Sequence, residues 1–379
     1  MDHPNIVKYF ETYDDVKYLY LVMQNCSGGE LFDSFEQLEK KGQKYSEKLA
    51  ADVIRKCLGA LQHCHSMNIV HRDIKPENIM YDGQGEIQLV DFGLAKQTQK
   101  RMDEVAGTPY FMAPEVIDEH YEYKCDIWSL GVVLYMLVAG NLPFNGYSKP
   151  EVYGKIRKGF YRQPKHCTDA CRDLISKMLK VDPKQRPDAG ECLKHKWFKD
   201  MKDIEGDLEE GVSASIINNL KSFHGQSQLR KAALNIFVKT QHPKAYEDIR
   251  NQFTKIDTDS SGVIDVKELR QAIKESDFQS VVSDEEIDEI IAQIDYDNNG
   301  KINYTEFIAA ALPIGKYLTQ DRLNALFAAF DVDDNKEITE DNIKNAFTKL
   351  GREISDEDVK AIMLQHDTDK NGIISLTEF

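Results

Sequence analysis

The sequence predicts a mixed α+β domain followed by an all-α domain. Two apolar runs near the start, residues 6–10 and 18–23, are separated by polar residues and predict adjacent antiparallel strands. The amphipathic stretch from Ser46 to Met67, with Ser46 as its N-cap, predicts a long core helix. Beyond residue 256, acidic loops recur every 36 to 38 residues, which is typical of an array of one helical motif.

Composition limits the class of protein. The chain has 379 residues, enough for two or three domains, and 41% of them are hydrophobic, which supports well-formed cores. The formal net charge of -16 argues against nucleic acid as a partner. The seven cysteines are odd in number and lack C-x-x-C spacing, which favours reduced thiols and a cytoplasmic location. No apolar run reaches the length of a transmembrane segment.

One short segment carries a catalytic pattern. Residues 71–78 read His-Arg-Asp-Ile-Lys-Pro-Glu-Asn, and an Asp-Phe-Gly sequence begins at Asp91. Phosphoryl transfer needs a carboxylate beside the attacking hydroxyl group, and Asp73 is the candidate. It also needs oxygen ligands for Mg²⁺ on the nucleotide, and Asn78 and Asp91 are the candidates. Lys75 can neutralise charge that builds on the transferred phosphoryl group.

A chance His-Arg-Asp on a surface loop is the alternative explanation of this segment. The ordered set of motifs, with Ala113-Pro114-Glu115 further on, makes chance a poor explanation. The set resembles that of the serine/threonine protein kinases. The resemblance implies a protein-kinase-like fold over residues 1–198, consisting mostly of the α-helical large lobe with part of the small lobe. It also implies ATP and Mg²⁺ as cofactors and Ser/Thr-containing protein substrates, including those with basic motifs.

The resemblance also assigns nucleotide-binding positions, with Met23 as gatekeeper and residues 24–26 as the hinge. Glu30 is expected to contact either the ribose or a basic substrate residue. Alternatively it is an ordinary first-turn glutamate favoured by the helix dipole, and both interpretations remain open. The assigned positions are Met23, Gln24, Cys26, Glu30, Glu77, Asn78 and Asp91.

Three further positions follow from the same resemblance. Many kinases have a phosphorylatable threonine three residues before the Gly-Thr that stands here at Gly107, but this chain has Glu104. Its fixed carboxylate is expected to pair with Arg72 without phosphorylation, although an exposed glutamate in an acidic patch is the alternative. Asp126 is expected to brace the backbone of the catalytic loop, and Glu115 to pair with Arg186.

Residues 199–245 are expected to form a regulatory, autoinhibitory junction. Apolar residues recur there at helical spacing in two groups, with basic residues on or beside the helices. A basic amphipathic helix suits binding in a groove, while a simple connector is the alternative. The apolar positions are Val212, Ile216, Leu220 and Phe223, then Leu229, Ala233, Ile236 and Phe237, and the basic ones are Lys221, Arg230 and Lys231.

The acidic loops match the EF-hand template, in which oxygens at fixed positions of a twelve-residue loop bind Ca²⁺. The first loop is expected to bind through side-chain oxygens, one backbone carbonyl and a bidentate glutamate, and the second and fourth loops repeat the pattern. The expected ligands are Asp257, Asp259, Ser261, Val263 and Glu268, then Asp295, Asp297, Asn299, Lys301 and Glu306, and last Asp367, Asp369, Asn371, Ile373 and Glu378.

The third loop, which starts at Asp331, departs from this template. Lys336 replaces the turn glycine and must adopt a strained left-handed backbone, while Asn342 replaces the bidentate glutamate. We therefore expect weak or no Ca²⁺ binding and a structural role beside the fourth loop, with Ile338 in a short ribbon between loops. Because Glu378 is followed only by Phe379, the fourth hand is expected to be truncated and its affinity reduced.

A kinase large lobe, a basic junction and four EF-hands together resemble the calcium-dependent protein kinases of plants and protists. In that family the C-terminal domain, here residues 246–379, is calmodulin-like, and Ca²⁺ relieves a block of the active site by the junction. The resemblance implies a monomeric, calcium-regulated serine/threonine kinase whose junction helix is an intramolecular partner.

A complete kinase carries two phosphate-binding features, a Gly-rich loop and a Val-Ala-Ile-Lys strand, upstream of the segment with which this chain starts. Neither feature occurs in this chain. We therefore expect the sequence to be N-terminally truncated and this chain as written to have little kinase activity, with membrane association through a missing N-terminus left open. The alternative function is that of a catalytically inactive fragment or pseudokinase that acts as a Ca²⁺ sensor and binding module.

Overall fold

The computed structural model describes the chain except for residues 44, 203–211, 224–225, 242–245, 277–282, 296–298, 318 and 351–353. Contacts divide it into two compact units. The first contains Met1–Leu208 and Asp259–Gly262, and the second contains Glu209–Thr258 and Val263–Phe379. Each unit is described by itself.

The first unit begins with an antiparallel hairpin. Strand β1 (Tyr9–Asp14) pairs with β2 (Leu19–Met23), so the prediction of adjacent antiparallel strands is confirmed. The first strand starts later than its apolar run, because Ile6 is buried and forms a bridge with Leu89 instead. The remaining strands of this unit are β3 (Gly29–Glu30), β4 (Ile69–Val70), β5 (Ile79–Tyr81), β6 (Ile87–Leu89) and β7 (Lys96–Gln97).

These remaining strands frame the catalytic segment. The order β3-β5-β6 forms one antiparallel sheet, and β4 pairs with β7. The segment 71–78 therefore lies between β4 and β5, and Asp91 follows two residues after β6 ends. The Asp-Phe-Gly sequence therefore begins just beyond the end of a strand.

Helices build most of the first unit. The Ser46 side chain accepts the Leu49 N–H group as predicted. Gly140 ends helix α4 (Lys124–Ala139) in a left-handed conformation with φ of 79°. Nearly all of α4 is buried, including Trp128, so it is the central helix of this core. The helices are α1 (Leu31–Lys40), α2 (Glu47–Ser66), α3 (Pro114–Ile117), α4 (Lys124–Ala139), α5 (Lys149–Lys158), α6 (Asp169–Met178), α7 (Ala189–Leu193) and α8 (Lys196–Lys202).

Where the structure describes it, the second unit is helical apart from a short ribbon and one β-bridge, and the helical prediction is confirmed. Its helices are α9 (Ala214–Phe223), α10 (Gln228–Thr240), α11 (Glu247–Ile256), α12 (Val266–Lys274), α13 (Asp284–Ile294), α14 (Tyr304–Ala311), α15 (Ile314–Tyr317), α16 (Gln320–Phe330), α17 (Glu340–Lys349) and α18 (Asp356–His366). Strands β8 (Val263–Ile264) and β9 (Ile302–Asn303) join the first two loops, and Ile338 bridges Ile374 in the same way. The predicted pairing between loops is confirmed.

Two apolar cores fill the second unit, and junction helix α10 contributes to both. Leu234, Phe237 and Val238 lie in the core of the first two hands. Leu229 and Ala233 lie in the core of the third and fourth hands. Both predicted junction helices are thus present and packed on the hands. In the part of the chain that the structure describes, no helix combines the length and apolar character needed to cross a membrane.

Candidate functional site

The catalytic loop is held by one buried carboxylate. Asp126, on α4, accepts the backbone N–H groups of His71 and Arg72, each at 2.9 Å. The His65 Nε2 atom lies 2.9 Å from the same carboxylate. Burial alone would raise the pKa of Asp126, but hydrogen bonds from its neighbours, led by His65, lower it. A charged Asp126 therefore fixes the backbone immediately before Asp73. Sequence reasoning found Asp126 but missed His65, whose signal was its place in the last turn of a helix that leads into the loop.

Asp73 is buried and surrounded by hydrogen-bond donors. Lys75 Nζ lies 2.6 Å from its Oδ2 atom, and Thr108 donates to Oδ1 through its N–H group at 3.0 Å and its hydroxyl at 2.9 Å. Burial opposes ionisation, but the bonds from Lys75 and Thr108 outweigh it, and the pKa of Asp73 is lowered. The carboxylate is thus charged at neutral pH and available to accept a bond from a substrate hydroxyl.

Thr108 was not among the predicted site residues. Its place depends on Gly107, which has a φ of 107°. A Cβ atom on this glycine would lie 2.5 Å from the Arg72 carbonyl oxygen, so the tight approach requires glycine. The Gly-Thr pair therefore brings the activation segment, residues 93–113, against the catalytic loop at residues 71–78.

Asn78 and Asp91 offer the oxygens expected for Mg²⁺. The Asn78 side-chain nitrogen donates to the Asp73 carbonyl at 2.9 Å and to its carboxylate at 3.1 Å, which leaves the amide oxygen outside these two bonds. Val90 N–H donates to the Asn78 carbonyl at 3.0 Å, so the two loops are adjacent. Asp91 is exposed, with a left-handed φ of 60°. One carboxylate and one amide oxygen on neighbouring loops fit a Mg²⁺-bound nucleotide.

Three other predicted nucleotide positions, Met23, Gln24 and Cys26, lie where the chain leaves the hairpin, and Glu77 lies beside Asn78. Met23 ends β2 and is 44% exposed, whereas Gln24 is buried and its backbone N–H group donates to the Lys8 carbonyl at 2.7 Å. Burial raises the pKa of the half-buried Cys26 to about 11, so its thiol is neutral. Glu77 is exposed in the single turn of 3₁₀-helix at Pro76–Asn78.

Glu30 requires a correction. It lies in β3, one residue before α1 begins at Leu31, so it is not the first-turn glutamate that one interpretation expected. Asp33 is the acidic residue of that turn, and its carboxylate accepts the Glu30 N–H group at 3.4 Å. The ribose or substrate role of Glu30 stays a prediction.

The expected ion pair of the activation segment is present. Arg72 Nη1 donates to Glu104 at 3.1 Å, and Lys96 Nζ lies 3.4 Å from the other carboxylate oxygen. The Tyr121 hydroxyl donates to the Glu104 carbonyl at 2.8 Å. Hydrogen bonds from Arg72 and then Lys96 lower the pKa of Glu104, although its side chain is 60% exposed. Lys96 and Tyr121 were not predicted to take part.

The pair between Glu115 and Arg186 is also present, and it is buried. Arg186 Nη2 donates to Glu115 at 3.0 Å, and the same guanidinium donates to the carbonyl oxygens of Lys180 and Lys124. This buried pair therefore has a structural role in the first unit.

The first EF-hand loop brings three carboxylates together. One oxygen each from Asp257, Asp259 and Glu268 lies within 4.8 Å of the others. Gly262 has a φ of 80°, as the sharp turn requires, and Val263 follows in β8. Ser261 donates its N–H group to Asp259 at 3.0 Å, which keeps it inside the loop. This donor set fits Ca²⁺.

The second loop has the same internal bonds where it is described. Asp295 accepts the N–H groups of Asn299 at 3.0 Å and Gly300 at 2.7 Å, and Lys301 N–H donates to the Asn299 side chain at 2.9 Å. Glu306 accepts the Asn303 N–H group at 2.8 Å. The predicted ligand Asp297 lies outside the described residues.

The fourth loop repeats the cluster. Asp367, Asp369 and Glu378 place one oxygen each within 4.8 Å of the others. Ile373 N–H donates to the Asn371 side chain at 2.9 Å. Hydrogen bonds from Ser375, then from Thr368, lower the pKa of Glu378 to about 2, so this carboxylate is charged and ready for a cation.

The third loop has an amide in place of the carboxylate at its twelfth position. Lys336 has the predicted left-handed backbone, with φ of 66°, and its N–H group donates to Asp331 at 2.7 Å. The Asn342 side-chain nitrogen donates to Asp333 at 3.1 Å. Among the residues described, this loop contributes no group of three carboxylates.

Comparison with known proteins gives two family matches. The protein kinase domain family matches residues 1–198. The EF-hand domain pair family matches twice, at residues 246–312 and 320–379.

The chain is also similar to individual curated proteins. It is 37% identical over 321 residues to "Calcium-dependent protein kinase 5" of Plasmodium falciparum, which covers 82% of this chain and 55% of that protein. It is 36% identical to "Calcium-dependent protein kinase 3" of Plasmodium yoelii yoelii, covering 82% and 58%. It is 35% identical to "Calcium-dependent protein kinase 11" of Oryza sativa subsp. japonica, covering 85% and 56%. The chain thus spans a little over half the length of these relatives.

Proposed function

The chain belongs to the protein kinase family and carries EF-hand pairs after its kinase domain, and from this we propose that it acts in a calcium-regulated serine/threonine kinase. The proposed organisation is a partial kinase domain at residues 1–198, a regulatory junction at 199–245 and a calmodulin-like domain at 246–379. The observation that carries the proposal is the charged Asp73, fixed by Lys75 and Thr108.

The chemistry assigned to these residues is positioning and charge stabilisation. Asp73 orients the substrate hydroxyl and accepts its proton as the bond to phosphorus forms, and Lys75 offsets negative charge on the transferred group. Mg²⁺–ATP would supply the phosphoryl group, with ADP leaving as the bond to the γ-phosphorus breaks, and Asn78 and Asp91 are the residues that would hold the metal. The Arg72–Glu104 pair orders the activation segment without phosphorylation.

The regulatory proposal rests on contacts of the junction inside the second unit. Lys231 is buried, and its Nζ atom lies 2.9 Å from the Gln293 side-chain oxygen and 5.3 Å from the centre of the Phe223 ring. Lys221 lies 3.8 Å from Glu286. Lys221 and Lys231 therefore both contact residues of α13, a helix of the second hand. We assign this arrangement to the state in which the hands have captured the junction, and a kinase-bound junction to the resting state.

Protein substrates with Ser/Thr follow from membership of the family, and a basic motif near the target residue, a monomeric state and a cytoplasmic location are further proposals. All seven cysteines are free thiols, which supports an intracellular location.

A transfer assay tests the function. The chain, and an extended protein in which a Gly-rich loop and a Val-Ala-Ile-Lys strand are fused before residue 1, are each incubated with γ-labelled ATP, Mg²⁺ and a serine/threonine peptide library, with Ca²⁺ or with a chelator. We expect Ca²⁺-dependent labelling by the extended protein that Asp73→Asn reduces by about a thousandfold or more. We expect little labelling by the chain alone, because it lacks these two phosphate-binding features. Unchanged labelling by Asp73→Asn would overturn the kinase assignment, and Ca²⁺ binding without any transfer by the extended protein would favour the sensor alternative.

A further inference from the structure

The third EF-hand loop has an unusual internal bond at its twelfth position. Asn342 is buried, and its side-chain oxygen accepts the N–H group of Thr339 at 2.9 Å and the Thr339 hydroxyl at 2.8 Å. Its side-chain nitrogen donates to Asp333, at the third position, at 3.1 Å. One amide thus joins both ends of the loop.

The other loops share one half of this arrangement. Glu268, Glu306 and Glu378 also accept the N–H group of the residue three positions earlier. Their carboxylates, however, carry the same charge as the aspartates they face, so a cation is needed to bring the two ends together. In the third loop an amide donor meets the carboxylate, and the contact is attractive without an ion.

The third loop is tied to the rest of its pair by backbone and apolar contacts. Ile338 and Ile374 exchange two backbone hydrogen bonds, at 3.0 and 2.8 Å. Phe330 and Phe347, on the two helices of the third hand, share a core with the first part of α10, where Leu229 and Ala233 are buried. A closed third hand therefore provides part of the surface on which α10 lies.

We propose that the Asn342 amide takes the place of the Ca²⁺ ion in the third loop. The third hand is then closed at every Ca²⁺ concentration and anchors residues 229–233 of the junction helix when the other hands are ion-free. Ca²⁺ changes what the rest of α10 contacts, while this anchor persists. The inference is independent of phosphoryl transfer, because it concerns only the second unit.

Hydrogen–deuterium exchange on the whole chain in excess chelator tests this anchor. We expect slow exchange for the amides of residues 229–236 and 343–347 in the original protein, because their hydrogen bonds lie in a formed core. Fast exchange of both segments in chelator, with slow exchange only after Ca²⁺ is added, would show that an ion closes the hand and would overturn the proposal.

The variant Asn342→Asp isolates the amide. It keeps the oxygen that accepts from Thr339, removes the donor to Asp333 and places two like charges together. We expect exchange of residues 229–236 in chelator to accelerate by about tenfold or more. The matched control is Asn345→Asp, the same chemical change at an exposed position of the same helix, which should leave exchange unchanged.

A second measurement separates this effect from general unfolding. Slow exchange of α4 in the first unit and of α14 in the first hand pair should persist in Asn342→Asp. If residues 229–236 exchange equally slowly in both variants and in the original protein, the amide is not what closes the hand.

Discussion

The Arg186 guanidinium is buried inside the first unit, where it bonds to one carboxylate and to backbone carbonyls. It donates to Glu115 and to two backbone carbonyls, and it stacks 5.2 Å from the centre of the Trp128 ring. A planar group with several donors meets this geometry, whereas a lysine ammonium cannot bridge both carboxylate oxygens and both carbonyls. The buried pair therefore depends on arginine itself.

We expect Arg186→Lys to reduce the free energy of unfolding of the first unit by about 3–5 kcal/mol, because it leaves a buried carboxylate poorly paired. The control is Arg157→Lys, the same change in an exposed pair with Asp118 at 2.8 Å, which should cost at most about 1 kcal/mol. Urea denaturation followed by fluorescence compares the two, and equal midpoints would contradict this account.

Residues with a motif were predictable, and residues placed only by the fold were not. Asp73 belongs to a recognisable set of motifs, and the resemblance to the protein kinases named the pair of Glu115 and Arg186 in advance. His65 and Thr108 reach the catalytic loop through tertiary packing. A histidine at a helix end and a threonine after a glycine are too common for their types alone to indicate a site.

At the level of elements, the EF-hand loops show how spacing specifies a site. Ligands at alternate positions of a tight loop converge because the loop curves around a single central point. The template also needs a left-handed residue at its sixth position, where the loop turns sharply. Gly262, Gly300 and Gly372 adopt this conformation, with φ of 80° to 84°. Lys336 adopts this conformation too, so the third loop keeps the shape of the template although it lacks the full ligand set.

The bounds of the strands were less predictable than the loops. The apolar run at residues 6–10 did not reveal that Ile6 pairs with Leu89 and not with the hairpin.

We expect the chain to bind at most three Ca²⁺ ions, in the first, second and fourth loops. Isothermal titration counts them, and Glu268→Gln should remove one ion because it replaces a bidentate ligand. Asp331→Ala should leave the count unchanged. A fourth ion that disappears in Asp331→Ala would show that the third loop binds Ca²⁺ despite Lys336 and Asn342.

For the whole molecule, the proposed regulation requires that Ca²⁺ binding changes the contacts of the junction. The junction helices share cores with the hands, and the buried Lys231 ammonium lies at the end of α13, beside the Gln293 carbonyl at 3.2 Å. The second Ca²⁺ loop starts two residues later, at Asp295. A cation at a helix C-terminus stabilises that helix, so the junction and the second loop are energetically linked.

We expect Lys231→Met to raise the Ca²⁺ concentration at the midpoint of titration by about fivefold or more, because captured junction and bound ion stabilise each other. Arg230→Met, at the exposed neighbouring position, is the control and should titrate like the original chain. Tryptophan-independent methods such as flow dialysis avoid signals from the kinase domain. Coinciding midpoints for the two variants would remove Lys231 from the link.

The backbone bridge between Ile338 and Ile374 has a consequence for the shape of the calcium response. Paired hands bind cooperatively when the first ion prepares its neighbour for the second. The first two loops are joined by backbone pairing at Ile264 and Ile302, so this pair of hands can bind its two ions cooperatively. A pair whose third loop is already closed has a prepared neighbour from the start and one ion left to bind, so its saturation curve is graded. One polypeptide thereby combines a steep threshold in one half of its sensor with a proportional response in the other.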